Sequence, residues 1–318
     1  MSQKLAVGID IGGTLTKVGL VDLKGELHGQ LDFSTRKHQD VDDYLDEIKE
    51  KIEELRKSVN ESIDLAGIGI GAPNANYYRG TIEHSANLIW KGIVPFVEKL
   101  RKRYDLPIYM TNDANAAAIG EMVYGNAKDM KDFIVITLGT GLGAGIVSNG
   151  NLIYGYDAQA GELGHVMIKE GGRMCGTGRR GCLEAYVSST GIKRTVFYLL
   201  SDSMEESELR NYSFNDLHGE VITKAAENGD SIAQEAFRMT GDILGQQMAN
   251  FVAFSHPETI FLLGGLAKAG KWIFDPTRKY LEQYLLPYYT GKVKVEPSGM
   301  MDKNAAILGA AALVWDHT

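Results

Sequence analysis

The chain has 318 residues, of which 44% are hydrophobic and 23% charged, a globular balance that excludes fibrous and disordered classes. Its 33 Lys and Arg against 41 Asp and Glu leave a formal charge of −8, the wrong sign for a non-specific nucleic-acid or anionic-membrane binder. Two cysteines, Cys175 and Cys182, imply no disulfide framework and fit a reducing cytoplasm, the expected compartment.

Lys4 and Asp10 bracket too short an apolar run for a secretory signal. Strands are expected at 5–9, 15–21 and 26–33, with Gly12-Gly13 and Lys24-Gly25 supplying the turns. A helix follows over 41–59, because Val41, Tyr44, Leu45, Ile48, Ile52, Leu55 and Val59 fall on one face. A buried strand over 65–71 stops at Pro73; then come a helix near 93–103, a strand at 108–110 and a helix opening around Asp113.

The longest uncharged stretch, 133–156, has the length of a membrane span, but its glycines with Asn149 and Asn151 make it strand–turn–strand. Strands at 133–138 and 144–148 flank a glycine turn, with a third at 152–154. Beyond a cysteine-bearing loop, helices are expected near 190–200, 216–227 and 231–253. A strand at 259–263, a helix over 276–285, a strand at 292–295 and an Ala-rich helix over 304–314 complete the chain. Two α/β halves, each opening on a hairpin around a glycine turn, indicate a duplicated architecture with a cleft between.

Asp10-Ile11-Gly12-Gly13-Thr14, with Lys17 beyond it, can turn backbone N–H groups and a hydroxyl toward an anion. Asp10 beside a phosphate calls for an intervening cation, which suggests Mg²⁺; a tight hairpin with a capping Asp would carry the same residues. Leu138-Gly139-Thr140-Gly141-Leu142-Gly143 repeats the design. Its glycines also satisfy a relaxed dinucleotide fingerprint, but that fingerprint needs a helix to begin inside the glycines, and here a strand follows. Gly265 and Gly270-Lys271 have P-loop spacing, yet Trp272 stands where Ser or Thr must be. Gly264-Gly265 reads as a backbone-close turn after a strand.

Asn112-Asp113 opens a helix, and both are strong N-cap residues. The functional alternative is that Asp113 accepts a proton from a substrate hydroxyl, for which an ordinary carboxylate pKa of ~3.9 suffices. Glu162, His165 and Glu184, close to a glycine-rich loop, suit a polyol whose hydroxyls need paired acceptors. His165, Cys175 and Cys182 form a zinc-like set of three, where a structural zinc takes four.

Taken in order, the Asp-x-Gly-Gly-Thr turn, Gly71–Pro73, Asn112-Asp113, the Gly-Thr-Gly turn, Glu162-x-x-His165 and the Cys loop ending in Glu184 resemble the ROK family of sugar kinases and repressors. The resemblance implies an α/β, actin-like ATPase fold of the hexokinase and Hsp70 type, with two ribonuclease-H-like lobes around a cleft. The expected division is 1–112 with 303–318, and 113–302 bearing the Cys loop 165–184. Asp113 is implied as general base. Asn87, Asn112, Asp113, Glu162, His165 and Glu184 are implied as sugar ligands. Gly12, Gly13, Thr14, Lys17, Thr140 and Gly141 would contact the phosphates of ATP, Gly264 and Gly265 would lie against adenosine, and Asp10 would face Mg²⁺.

Two positions depart from the family pattern. Thr177 stands where a family zinc ligand is a cysteine, which leaves His165, Cys175 and Cys182 for Zn²⁺. Asn74 replaces a glycine in the sugar-side loop, before Asn76-Tyr77-Tyr78-Arg79. The activity implied is an ATP-dependent glucokinase acting on the 6-hydroxyl. The alternatives are an N-acetylmannosamine or N-acetylglucosamine kinase, a fructokinase, and, distantly, a sugar-responsive ROK repressor lacking its DNA-binding domain. Partners are sugar and ATP, with no nucleic acid or membrane, and the family resemblance implies a homodimer.

Overall fold

The computed structural model describes residues 3–59, 63–301 and 303–317. In chain order the elements are β1 (Gln3–Ile11), β2 (Leu15–Val21), β3 (Leu27–Ser34), α1 (Val41–Ser58), β4 (Ile63–Gly71), β5 (Ala75–Asn76), β6 (Thr81–Glu83), β7 (Ile93–Val94), α2 (Phe96–Arg101), β8 (Ile108–Thr111) and α3 (Asp113–Tyr124). They continue with β9 (Phe133–Leu138), β10 (Leu142–Ser148), β11 (Asn151–Leu152), α4 (Glu184–Val187), α5 (Ser189–Asp202), α6 (Gly219–Glu227), α7 (Ser231–Ser255), β12 (Thr259–Leu263), α8 (Lys271–Tyr284), β13 (Lys294–Pro297) and α9 (Ala305–Trp315).

The chain forms two compact units. The first comprises 1–130, 152–160 and 302–318, and the second 131–151 and 161–301. The boundary therefore falls later than the expected 112/113. The reason is α3: its Ala-rich faces pack on α9, where Gly309 approaches the Ala116 carbonyl within 2.6 Å of a would-be Cβ. Residues 152–160, expected in the second half, also belong to unit 1. There the rings of Tyr77 and Tyr154 stack at 4.0 Å, and the Asn76 amide donates to the Asp157 carbonyl at 3.1 Å.

Unit 1 is built on a sheet of order β3-β2-β1-β4-β8. The strand pairs β1–β2 and β2–β3 are antiparallel, and β1–β4 and β4–β8 are parallel. Unit 2 has the same plan, β11-β10-β9-β12-β13, with β9–β10 antiparallel and β9–β12 and β12–β13 parallel. Central strands covered on both faces read as continuous apolar runs, and five consecutive residues of β1, Leu5, Ala6, Val7, Gly8 and Ile9, are buried. β3 lies at the edge, which explains its looser alternation. On α1 the predicted apolar face is buried through Tyr44, Leu45, Ile48, Ile52 and Leu55, and Asp40 caps the helix by accepting the Asp42 N–H.

Two elements depart from the sequence reading. Ile93 and Val94 form β7, in a small sheet with β5 and β6, so helix α2 starts only after Pro95. Helix α8 begins at Lys271 and carries Pro276 inside it, whereas a proline reads as a first-turn residue. The start is set upstream by Gly270, whose φ of +57° breaks the preceding turn.

α9 lies directly on the sheet of unit 1. A Cβ on Gly69 would run into the Ala310 carbonyl oxygen, and one on Gly8 into that of Ile307. Gly69→Ala is therefore expected to lower stability by about 1–3 kcal/mol through overpacking against backbone. Gly219→Ala, at the start of α6 with open space around it, is expected to leave stability unchanged or raise it by up to ~1 kcal/mol. Urea midpoints of both variants check the pair.

Candidate functional site

In unit 1 the candidate residues gather at the carboxyl ends of the parallel strands. The register aligns Asp10 with Gly71 and Gly71 with Thr111, so the end of β1 and the start of α3 share one sheet edge. In open α/β sheets this is the edge that binds ligands. Asn112 is the N-cap of α3, its side-chain oxygen accepting the Asn115 N–H at 2.6 Å. Asp113 follows at the first helical position, with Oδ1 accepting the Ala114 N–H at 2.9 Å. The capping expectation thus belongs to Asn112, and Asp113 keeps oxygen surface for another partner.

The two carboxylates are not ordinary. Burial, reinforced by repulsion from Asp113 and opposed by Lys17, raises the Asp10 pKa to about 6. Asp113 retains water-accessible surface while protein atoms crowd it at longer range, and that crowding holds its pKa above the usual carboxylate value. This corrects the expectation of an unshifted Asp113.

The β1–β2 turn presents Gly12, Gly13 and an exposed Thr14, closed by a Gly12 N–H bond to the Leu15 carbonyl at 3.0 Å. Lys17 sits opposite Asp10 in the register. Asn87 is exposed beside the turn, its carbonyl oxygen 2.9 Å from where a Cβ on Gly13 would stand. Arg36 braces the turn by donating from Nε to the Gly13 carbonyl at 3.0 Å. No local motif marks Arg36, because it reaches the turn only through β3 pairing. Thr16, whose position suggests a phosphate donor, points inward and is fully buried against the hydroxyls of Thr35 (2.8 Å) and Tyr44 (2.6 Å). Asn74, the departure from the family glycine, has φ +56°, a left-handed conformation that asparagine tolerates, so the turn survives the change.

In unit 2 the second glycine turn lies between β9 and β10. The Gly143 N–H donates to the Thr137 hydroxyl at 3.2 Å, and Thr140 is exposed at the tip. Gly264, at φ +107°, lies against the Leu138 backbone, and the Leu266 N–H donates to the Leu138 carbonyl at 3.2 Å. The expected adenosine turn, Gly264-Gly265, is therefore neighbour to the expected phosphate turn, Thr140-Gly141.

Glu184 ties that turn to the cysteine loop. Its Oε2 accepts the Leu142 N–H at 3.1 Å and Oε1 the Gly176 N–H at 3.4 Å, and a Cβ on Gly141 would collide with it. Glu162 is exposed, with Oε2 3.8 Å from His165 Nε2. The other ring nitrogen, Nδ1, is buried without a hydrogen-bond partner. One ring nitrogen of His165 and the sulfurs of Cys175 and Cys182 lie within 4.8 Å of one another. A buried imidazole nitrogen with no hydrogen-bond partner, together with two thiols, is a donor set that fits zinc. The Thr177 hydroxyl stands 3.0 Å from the Cys175 sulfur, and a neutral hydroxyl is a poor replacement for the third thiolate that would complete four ligands.

The sequence matches the ROK family model over residues 6–317. A glucokinase of Halalkalibacterium halodurans is 34% identical, the alignment covering 99% of this chain and 96% of that protein. A glucokinase of Thermotoga maritima is 31% identical over 99% and 98% of the two chains. Among solved structures, a ROK family glucokinase from Streptomyces griseus in complex with glucose and AMPPNP matches with a TM-score of 0.81 at 30% identity, over 97% of this chain and 98% of that one. ROK sugar kinases have the actin-like ATPase fold, and the two sheets of common strand order are that fold's cores. Matched from residue 6 to residue 317, the chain belongs to the ROK family.

Proposed function

We propose that the protein is an ATP-dependent hexose kinase that transfers the terminal phosphoryl group of ATP to the 6-hydroxyl of glucose. The observation that carries the reading is Asp113, a carboxylate open to water at the first residue of α3, on the same sheet edge as the β1–β2 glycine turn. Two glucokinase relatives aligned over nearly the whole chain, and a related structure that holds glucose and AMPPNP, support it.

Phosphoryl transfer proceeds through a loose transition state, so the protein's task is to align the acceptor and stabilise charge. Asp113 accepts the proton of the attacking hydroxyl, and its raised pKa brings it nearer the basicity useful at neutral pH. Asn87, Asn112, Glu162, His165 and Glu184 hold the remaining hydroxyls. Backbone N–H groups of Gly12, Gly13 and Gly141, with Thr14, Thr140 and Lys17, receive the phosphates, and Gly264-Gly265 lies against adenosine. The like charges of Asp10 and Asp113, opposed only in part by Lys17, fit a divalent cation near Asp10. Mg²⁺ bound there would supply charge neutralisation to the phosphates. His165, Cys175 and Cys182 would hold zinc on three protein donors and so fix the ring that offers its other nitrogen to the sugar. The functional assembly, on family resemblance, is a homodimer.

A coupled assay over glucose, mannose, fructose, N-acetylglucosamine and N-acetylmannosamine is expected to give the highest kcat/KM with glucose; preference for an N-acetyl sugar would reassign the substrate, and no turnover with any would reject the kinase. Asp113→Asn is expected to lower kcat by about 10²–10⁴-fold while calorimetry still records glucose binding; activity within threefold of wild type would reduce Asp113 to a structural residue.

The raised Asp10 pKa has a stability consequence of definite sign. The folded state holds the Asp10 proton more tightly than the unfolded chain, so this group's contribution is complete below its unfolded value of 3.8 and is lost as the pH rises through about 6. Asp10→Asn is accordingly expected to melt at a higher temperature than wild type at roughly pH 7.5, with the difference shrinking toward pH 4. Melting curves across that range check it.

A further inference from the structure

The sulfurs of Cys175 and Cys182 lie 3.2 Å apart as free, buried thiols, and phosphoryl transfer consumes neither. The loop that carries them is held by contacts of its own. Met167 bridges Cys182 and Met174 bridges Arg180, pairing its two arms. Arg173 donates to the Gly191 carbonyl at 3.1 Å and the Thr195 hydroxyl at 3.0 Å while lying over the Tyr186 ring. Arg194 donates to the Met174 carbonyl at 2.6 Å, and the Cys175 N–H to the Arg179 carbonyl at 2.8 Å. Protein contacts alone thus bring the two thiols face to face.

A third thiolate, as fourth ligand, would lock such a pair around a metal. Here the corresponding side chain is Thr177, whose hydroxyl contacts the Cys175 sulfur without adding a thiolate, and the two sulfurs already touch. We propose that Cys175 and Cys182 form a reversible disulfide within the loop, by exchange with a low-molecular-weight disulfide of the glutathione class, when the site carries no metal. The sulfurs must close from 3.2 Å to about 2.05 Å, roughly 1.1 Å of movement, across a turn that contains Gly176 and Gly178.

Cys175, 7% exposed against 0% for Cys182, is the attacking residue. Its thiolate displaces one sulfur of the external disulfide RSSR, releasing RS⁻ and leaving Cys175 joined to SR. The Cys182 thiolate then attacks the Cys175 sulfur and releases the second RS⁻. Two protein thiols have lost two electrons and two protons, and RSSR has become two RSH. The exchange needs neither sugar nor nucleotide. Its effect reaches the sugar ligands because Glu184 lies two residues beyond Cys182 and accepts the N–H of Gly176, next to Cys175. Closing the bridge shifts both ends of that contact, so the oxidised protein is expected to show a several-fold higher KM for glucose at similar KM for ATP.

The full chain, stripped of metal with a chelator, is incubated with oxidised glutathione, then analysed by thiol titration and intact mass. The expected result is loss of both titratable thiols, a mass lower by two hydrogens with no glutathione retained, and full reversal by dithiothreitol. Cys182→Ser is expected to stop at the glutathione adduct. Zinc ions added beforehand are expected to slow thiol loss, and to slow it at least tenfold more in Thr177→Cys. A wild-type chain that keeps one glutathione with one thiol still titratable, or keeps both thiols while remaining folded by circular dichroism, overturns the proposal. Equal rates with and without zinc overturn the competition with metal. Thiol count and mass report whether or not the protein phosphorylates glucose.

Discussion

The alignment of Asp10, Gly71 and Thr111 across three neighbouring parallel strands is the constraint on which the catalytic reading rests. Parallel strands end together, so a carboxylate closing β1 and a carboxylate opening α3 are brought to one edge without any motif linking them in sequence. Bringing them there has a cost, visible in the Asp10 pKa, which burial raises most, repulsion from Asp113 raises further and Lys17 lowers in part. The same edge receives the glycine turn, whose backbone donors need no side chain and therefore leave room for a ligand.

The sheet cores were legible because their strands are covered on both faces. A strand such as Phe133–Leu138 reads as an apolar run interrupted only by Thr137, and neither turn nor composition contradicts it. The amphipathic α1 was equally plain, since one face of its 3.6-residue period is apolar. Short elements were not legible. Ile93 and Val94 carry too little pattern to be told from a helix start, and their pairing with β6 depends on residues ten positions away. α8 misleads for the opposite reason, as its proline is a strong local signal overridden by packing. Gly241 and Gly245 of α7 let Pro276 and Leu281 approach closely, and that contact holds the proline inside the helix.

The candidate site was readable in the residues that function places in short motifs, and opaque where tertiary contact decides. Asn112 and Asp113 are adjacent in sequence, and Glu162 and His165 lie three positions apart. Thr16 looks like its neighbour Lys17, yet strand alternation sends it into the core toward Tyr44, a distinction of one position. Arg36, the residue that braces the glycine turn, carries no signal, because its contact with Gly13 spans 23 positions. Glu184 is expected from sequence as a sugar ligand, but its joining of the second glycine turn to the cysteine loop is visible only in space.

Helix α9 is encoded after unit 2, yet it lies on β1, which is encoded before it. A chain emerging from the ribosome holds the first sheet of unit 1 through the whole synthesis of unit 2 without the helix that covers Gly8 and Gly69. Unit 2, by contrast, is complete once residue 301 has emerged. Domains fold as units during synthesis, so the later-encoded unit matures ahead of the earlier one. The glycine turn at Gly12-Gly13 precedes unit 2 in sequence, yet the sheet behind it is covered only when α9, encoded after unit 2, docks.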